Sequence, residues 1–385
     1  MSAKRVRRAS KTSLPSIYDV AERASVSVFT VSAVINKSHQ VSVRLRRRVE
    51  TAIKELDYRP NLLARSLAKR HTHTIGIIVP DISNPFFPLI VRGVEDSAQN
   101  AGYSTFLCNS DDRQEKEEQY LELLLSKRVD GILLTKTHEP LSPVQRRILS
   151  DTKVPVVLMM RTCRGFNTDA VVTDDFHGAF EAGAHLARLG YQKIGLVSGP
   201  LDVSNGRARK QGFLKALKAH HLPSDESLMV EGDYRVESGY RAGLTLLPKR
   251  PQAVFVANYL MTTGFMKAAE EIGMRCPDDF GLVSFDDYPW LGCFHPRLTT
   301  IDLPKYEVGV EATCVLLQRI KGMTGRPTVR TLTPQLVVRE SCGFSLRIKE
   351  NRAKPEVATV GDQNPFVPVL QFRENDGNNL ERTKI

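Results

Sequence analysis

Polar and apolar positions alternate with a helical period in the first sixty residues and change to strand-like runs from residue 74. Ser16 precedes Ile17–Ala24, where Val20, Ala21 and Ala24 fall on one helical face. Asp19 stands three residues after Ser16, the spacing of a capping box. Ser25 and Val26 leave room for only a tight connection. Ser27 then caps a second helix, Val28–Asn36, with Val31, Val34 and Ile35 inward. Ser42 caps a third, about Val43–Leu56, with Leu45, Val49, Ala52, Ile53 and Leu56 inward. Two short helices on a tight turn followed by a third predict an all-α helix-turn-helix head.

From Thr74 the pattern predicts strands at Thr74–Pro80, Ser104–Asn109, Val129–Thr135 and Val154–Met160. A second set is Ala170–Thr173, Lys193–Ser198, Ala253–Asn258 and Phe280–Phe285. Helical stretches fall between them: Pro88–Asn100, Glu115–Ser126, Phe176–Leu189, Arg207–Ala219, Val236–Leu247 and Thr262–Ile272. Strand and helix in alternation predict parallel sheets wrapped by helices, here as two α/β lobes with a ligand cleft at the strand ends. The polar stretch after Ser345 shows no periodicity, lacks a leucine heptad and reads as disordered.

Charge sharpens this division. The chain of 385 residues has net charge +11. Residues 1–75 carry 16 Lys and Arg against 5 Asp and Glu, and the rest carries 38 of each sign. A basic head on a neutral body points to a polyanion partner, first of all nucleic acid. No apolar run is long enough to span a bilayer, and the basic start lacks the apolar core of a secretory signal, so a cytoplasmic protein is expected. The six cysteines show no zinc-like spacing and read as small buried hydrophobes.

The run Ile17-Tyr-Asp-Val-Ala-Glu-Arg-Ala-Ser-Val-Ser-Val-Phe-Thr-Val-Ser-Ala-Val-Ile-Asn36 resembles the head of the LacI/GalR family of transcriptional regulators. Val49–Pro60 resembles that family's third helix and exit. Asn61-Leu-Leu-Ala-Arg-Ser-Leu-Ala68 resembles its hinge helix, and Ile75–Phe87 the opening strand and loop of its sensor. The resemblance covers about residues 16–345. It implies a periplasmic-binding-protein-like sensor whose chain crosses between lobes three times, near 161, 290 and 325. The domains expected are a basic arm (1–15), the head (16–60), a hinge helix and linker (61–73), the sensor (74–345) and the tail (346–385). Within the sensor, one lobe takes about 74–161 with 291–325, the other 162–290 with 326–345.

The resemblance also assigns residues. Val28, Phe29 and Ala33 take the base-reading positions, and two depart from the family's habit. Phe29 stands where a small or polar residue is common, and Ala33 where Arg or His often reaches a base. Neither forms bidentate hydrogen bonds to base edges, which leaves apolar contact with a thymine methyl, or for Phe29 packing within the head. Ser27, Thr30, Ser32 and Asn36 suit hydrogen bonds to DNA, and Ser16, Tyr18 and His39 the phosphate backbone. Arg44–Arg48 would supply salt-dependent affinity. Asn61, Ala64, Leu67 and Ala68 belong to the hinge, with Leu67 the minor-groove wedge. Two half-sites imply a homodimer on a near-palindromic double-stranded operator.

In the cleft the resemblance places Arg209 and Asp286 as the groups that grip an effector, with Asn258 beside them. Phe86 and Phe87 would form an aromatic wall, Asn205 a polar contact and Tyr234 an aromatic contact from the second lobe. A fork-shaped guanidinium and a carboxylate hold polar ligand atoms, and rings cover flat faces. Met160 and Tyr259 replace acidic residues common in the family, and Arg161 follows. Arg161 with Arg209 raises an anionic effector as an alternative to a sugar or related metabolite. No cofactor, metal site or catalytic set is expected. Gly178–Gly183 lacks the lysine of a phosphate loop, and His138-Glu139-Pro140 is no zinc motif. Three readings stay open: an effector-responsive repressor, a regulator that ignores small molecules or answers to a protein, and a solute-binding protein or sugar-processing enzyme.

Overall fold

The computed structural model describes residues 15–36, 41–58, 71–293 and 295–345. The basic arm up to residue 14, His39, the hinge residues Asn61, Ala64, Leu67 and Ala68, and the tail from 346 lie outside the described residues.

The head forms as its caps dictate. Helix α1 spans Ile17–Ala24, α2 Val28–Ile35 and α3 Val43–Glu55. Ser16 and Asp19 close a reciprocal capping box, in which Asp19 Oδ2 accepts the Ser16 N–H at 2.7 Å. Ser27 and Ser42 cap α2 and α3 through the N–H groups of Thr30 and Leu45. Asn36 and Leu56 are the C-caps rather than the last helical residues. Val20, Ala21, Ala24, Val31, Val34, Val49, Ala52 and Tyr58 form the small core, and Leu45 is only half-buried.

The sensor is two six-stranded sheets. The first holds β1 (Thr74–Val79), β2 (Ser104–Asn109), β3 (Gly131–Leu134), β4 (Val156–Met159), β5 (Asp169–Thr173) and β11 (Val329–Leu332), in the order β11-β5-β4-β3-β1-β2. The second holds β6 (Ile194–Ser198), β7 (Met229–Glu231), β8 (Ala253–Val256), β9 (Gly281–Phe285), β10 (Thr299–Asp302) and β12 (Gln335–Val337), in the order β12-β10-β9-β8-β6-β7. All neighbours run parallel except β10 and β12. The central strands β3, β4, β8 and β9 are buried at every position, as strands covered on both faces must be. The covering helices are α4 (Phe86–Asn100), α5 (Gln114–Ser126), α6 (Pro143–Asp151), α7 (Asp175–Arg188), α8 (Ser204–Ala219), α9 (Val236–Leu246), α10 (Tyr259–Ile272) and α11 (Lys305–Ile320).

The lobe boundaries differ from those expected. Strand β5 pairs with β4 and β11, so it belongs to the first lobe, and the chain crosses at Asp174 rather than near 161. Strand β10 pairs with β9 in the second lobe, while α11 packs on α4 and on β3–β5. The second crossing is therefore at Leu303–Pro304, not near 290. The third lies at Thr333–Pro334, between β11 and β12, not near 325. The sequence break after Met160 marks the end of a strand, and hydrogen-bonded neighbours, not breaks, decide the sheet. Among the cysteines, Cys108, Cys163 and Cys342 are buried, Cys276 is half-buried, and Cys293 and Cys314 are exposed. No helix among the described residues is long and apolar enough to cross a membrane.

Candidate functional site

A pocket opens where the carboxyl ends of both sheets face each other. It is lined from the first lobe by Pro80, Asp81, Asn84, Phe86, Phe87, Asp112, Thr135, Met160 and Arg161, and from the second by Asn205, Arg209, Tyr234, Arg235, Asn258 and Asp286. Most stand in the loops just beyond a strand, where open α/β sheets present ligand sites, and Phe86, Phe87, Asn205 and Arg209 come from the first two turns of the helices that follow. All eight effector residues expected from sequence meet here. Asp81, Asn84, Asp112, Thr135 and Arg235 were missed, although each follows the end of a strand and that position was the available signal.

Arg209 is 2% exposed on α8. Its Nε donates to Asp175 Oδ1 at 2.6 Å, and one Nη donates to the Ala257 carbonyl. Its guanidinium carbon lies 3.8 Å from the Phe285 ring centroid. Burial works against its charge, but Asp175 leads a set of neighbours that outweigh it and raise the pKa. Asp286, at the end of β9, holds a left-handed φ of 72°. Its Oδ2 accepts the Tyr259 N–H at 3.4 Å, and its buried Oδ1 has no partner. Burial raises its pKa against the pull of Arg209 and Lys305. The hydroxyls of Thr135 and Tyr234 are also buried without partners. Burial pushes the Tyr234 phenol up to about 12, so it stays protonated. Three residues that line the pocket thus each keep a buried polar atom with hydrogen-bonding capacity unused, a state costly unless a ligand or water completes it.

The remaining lining groups are already engaged. Asn258 caps α10 through Met261 N–H at 2.9 Å and donates to the Tyr234 carbonyl at 3.0 Å. Asn205 Oδ1 accepts from Gly206 N–H at 3.0 Å. Phe86 and Phe87 meet edge to face at 5.2 Å. Arg161 donates to the carbonyls of Lys136 and Thr137 at 2.6 and 3.3 Å and lies 4.0 Å from Asp112. Beside the pocket, His138 meets Asp202 at 2.6 Å, Glu139 meets Arg207 at 2.7 Å, and Ser204 Oγ accepts the Thr162 N–H at 2.9 Å. These contacts join the lobes directly. No cluster of metal-ligating residues occurs among the described residues.

In the head, Phe29 is 81% exposed and Tyr18 71%. Phe29 therefore does not pack into the head, while Val28 rests partly against its core. Thr30 and Ser27 hydroxyls bond at 2.9 Å, and Asn36 Nδ2 donates to the Ser32 carbonyl at 2.8 Å. Ala33 is half-buried on the same helix.

Comparison with known proteins bears on both parts. A family model described as "Bacterial regulatory proteins, lacI family" matches residues 16–61. Another, "Periplasmic binding proteins and sugar binding domain of LacI family", matches residues 72–340. The chain is 38% identical over 331 residues to the HTH-type transcriptional repressor PurR of Proteus mirabilis (strain HI4320), covering 85% of this chain and 97% of that one. It is 39% identical, with the same coverage, to PurR of Yersinia pestis (strain Pestoides F). The lac repressor dimer bound to operator and the anti-inducer ONPF matches with TM-score 0.77 at 29% identity, over 86% of this chain and 99% of that one. The transcriptional regulator CelR in complex with cellobiose matches with TM-score 0.66 at 32% identity, over 85% and 99%. With both halves matched in order and along nearly the whole described chain, the protein belongs to the LacI family of bacterial regulatory proteins.

Proposed function

We propose that this protein is a sequence-specific DNA-binding repressor that acts as a homodimer and whose operator affinity is set by a small molecule in the interlobe cleft. It acts in the cytoplasm, at the nucleoid when bound, and by binding rather than catalysis. The observation that carries the reading is the cleft itself: Asp286, Thr135 and Tyr234 line one pocket, and Asp286 Oδ1 and the two hydroxyls are buried and unpartnered. In the head, Tyr18, Ser27, Val28, Phe29, Thr30, Ser32, Ala33 and Asn36 face or flank DNA, with His39, Asn61, Ala64, Leu67 and Ala68 completing the interface.

The charge around the cleft favours a neutral, hydroxyl-rich ligand. Arg161, Arg209 and Arg235 are balanced by Asp81, Asp112 and Asp286, and Arg209 is already neutralised by Asp175. That weakens the case for an anionic effector, which needs cationic groups left over. Phe86, Phe87 and Tyr234 supply faces for the ligand's apolar side. Selection from random duplex DNA with the full-length protein tests the DNA half, and a near-palindrome is expected. Thermal shift with neutral sugars, sugar phosphates and organic acids tests the effector half. A ligand that binds only the folded chain raises its midpoint by mass action. Stabilisation by phosphorylated or acidic compounds alone would overturn the neutral-ligand reading.

The direct contacts between lobes favour a second reading, in which closure needs no small molecule. It gains ground if no class stabilises the protein while operator binding is strong.

A further inference from the structure

The segment that leaves the hinge for the sensor is held by one carboxylate. Asp130 Oδ1 accepts the Thr72 N–H at 2.8 Å and the Thr72 hydroxyl at 3.1 Å. Its Oδ2 accepts the His73 N–H at 2.9 Å and lies 3.6 Å from His71 Nδ1. Three consecutive linker residues thus converge on a side chain that is only 5% exposed. The Thr72 hydroxyl also lies 2.9 Å from the Arg128 carbonyl, and His73 takes a left-handed φ of 51° with its ring 5.3 Å from that of Tyr103. Both linker histidines remain exposed while their backbone and neighbours are held by this contact.

Asp130 is the residue before β3. That strand is buried along its whole length, and Thr135 follows its other end in the cleft. The Lys136 carbonyl accepts from Arg161, and His138 reaches Asp202 of the second lobe. One short, fully buried strand therefore carries the linker at its start and the cleft at its finish. A close-packed strand resists internal deformation, so it offers a stiff link between these two ends.

We propose that Asp130 is the positioning residue that couples the sensor to the DNA-binding head, by fixing residues 71–73 to the start of β3. This rests on the repressor reading. The carboxylate sets where the segment to the head begins, so that the two heads of a dimer meet operator half-sites without first ordering this stretch. A purely structural part, capping the start of β1, would need no effect on DNA.

The test uses the full-length chain and an operator selected by the wild-type protein. Asp130→Asn keeps the size but turns one acceptor into a donor facing N–H groups. Its operator affinity is expected to fall about tenfold, with the salt dependence unchanged because no phosphate contact is lost. Tryptic cleavage after Arg70, beside the clamped segment, is expected to become at least fivefold faster. Thr72→Val removes only the hydroxyl bonds, and an effect in the same direction of about threefold is expected; it carries the test if Asp130→Asn does not fold. A lowered melting temperature with unchanged operator affinity and unchanged cleavage would overturn the proposal. Failure of the wild-type protein to bind any operator would instead sink the repressor reading, and the coupling to DNA with it.

Discussion

Arg209 Nε and Asp175 Oδ1 lie 2.6 Å apart, with both side chains almost fully buried. Asp175 opens α7 directly after the first crossing between lobes, and Arg209 lines the cleft from α8. The pair therefore ties the ligand site to the crossing. Asp175→Ala would leave a buried guanidinium without its counter-ion, and a loss of about 3–5 kcal/mol is expected. Chemical denaturation measures it. A loss under about 1 kcal/mol would mean that water or another carboxylate takes over.

Asp286 behaves differently, because its Oδ1 has no partner and burial already disfavours its charge. Asp286→Asn keeps the shape, and asparagine tolerates the left-handed backbone. Stability without ligand is expected to change by less than about 1 kcal/mol, or to rise. Ligand affinity is expected to fall at least tenfold for whichever sugar stabilises the wild-type protein most. Calorimetric titration against that compound decides it, and unchanged affinity would remove Asp286 from the site.

His185 on α7 predicts a pH dependence. Burial leads, with Arg188, in lowering its pKa to about 4 from the ordinary 6.5, against an opposing pull from Glu181. Between those values the unfolded chain binds the proton and the folded chain does not. Stability supported by the neutral ring is therefore complete above about pH 6.5 and declines as pH falls toward 4. The contribution lost is about 2.5 kcal/mol at pH 4.5. His185→Leu should flatten the stability profile in this window by that amount, measured by urea denaturation at pH 7 and 4.5. Equal slopes for the two proteins would contradict the burial argument.

Phe29 stands exposed on α2, so its removal should leave the fold intact. Phe29→Ala is expected to relax preference at one base-pair step of the selected operator, by about 1–3 kcal/mol against the wrong base. The slope of affinity with salt should stay the same. An unchanged selected sequence would mean that Phe29 reads nothing.

How much of this was written locally can be judged element by element. The head's three helices follow from caps three residues from their partners, so short-range pattern sufficed, and only the last residue of α2 and α3 moved. Eight strands of the sensor, β1–β6, β8 and β9, were visible as short β-branched and apolar runs. β7, β11 and β12 were not, because they have only three or four residues and expose much of their length, whereas β2, also at an edge, has six. β10 is buried but mostly polar, Thr-Thr-Ile-Asp, and its threonines are satisfied by long-range partners: Ser341 Oγ accepts the Thr299 N–H, and Asp287 accepts the Thr300 hydroxyl.

The sequence by itself determined the division into a basic helical head and a neutral α/β body, and the family resemblance marked the strand-end positions that became the cleft. Those properties depend on period, capping and charge, which act over a few residues. Tertiary structure decided which sheet each strand joined, and so moved all three crossings. It also decided that Arg209 is neutralised by Asp175, thirty-four positions away, and that Asp130 clasps the linker across more than fifty. Hydrogen bonds and ion pairs between distant segments depend on where the packed sheets bring them, and no local pattern in the chain encodes that placement.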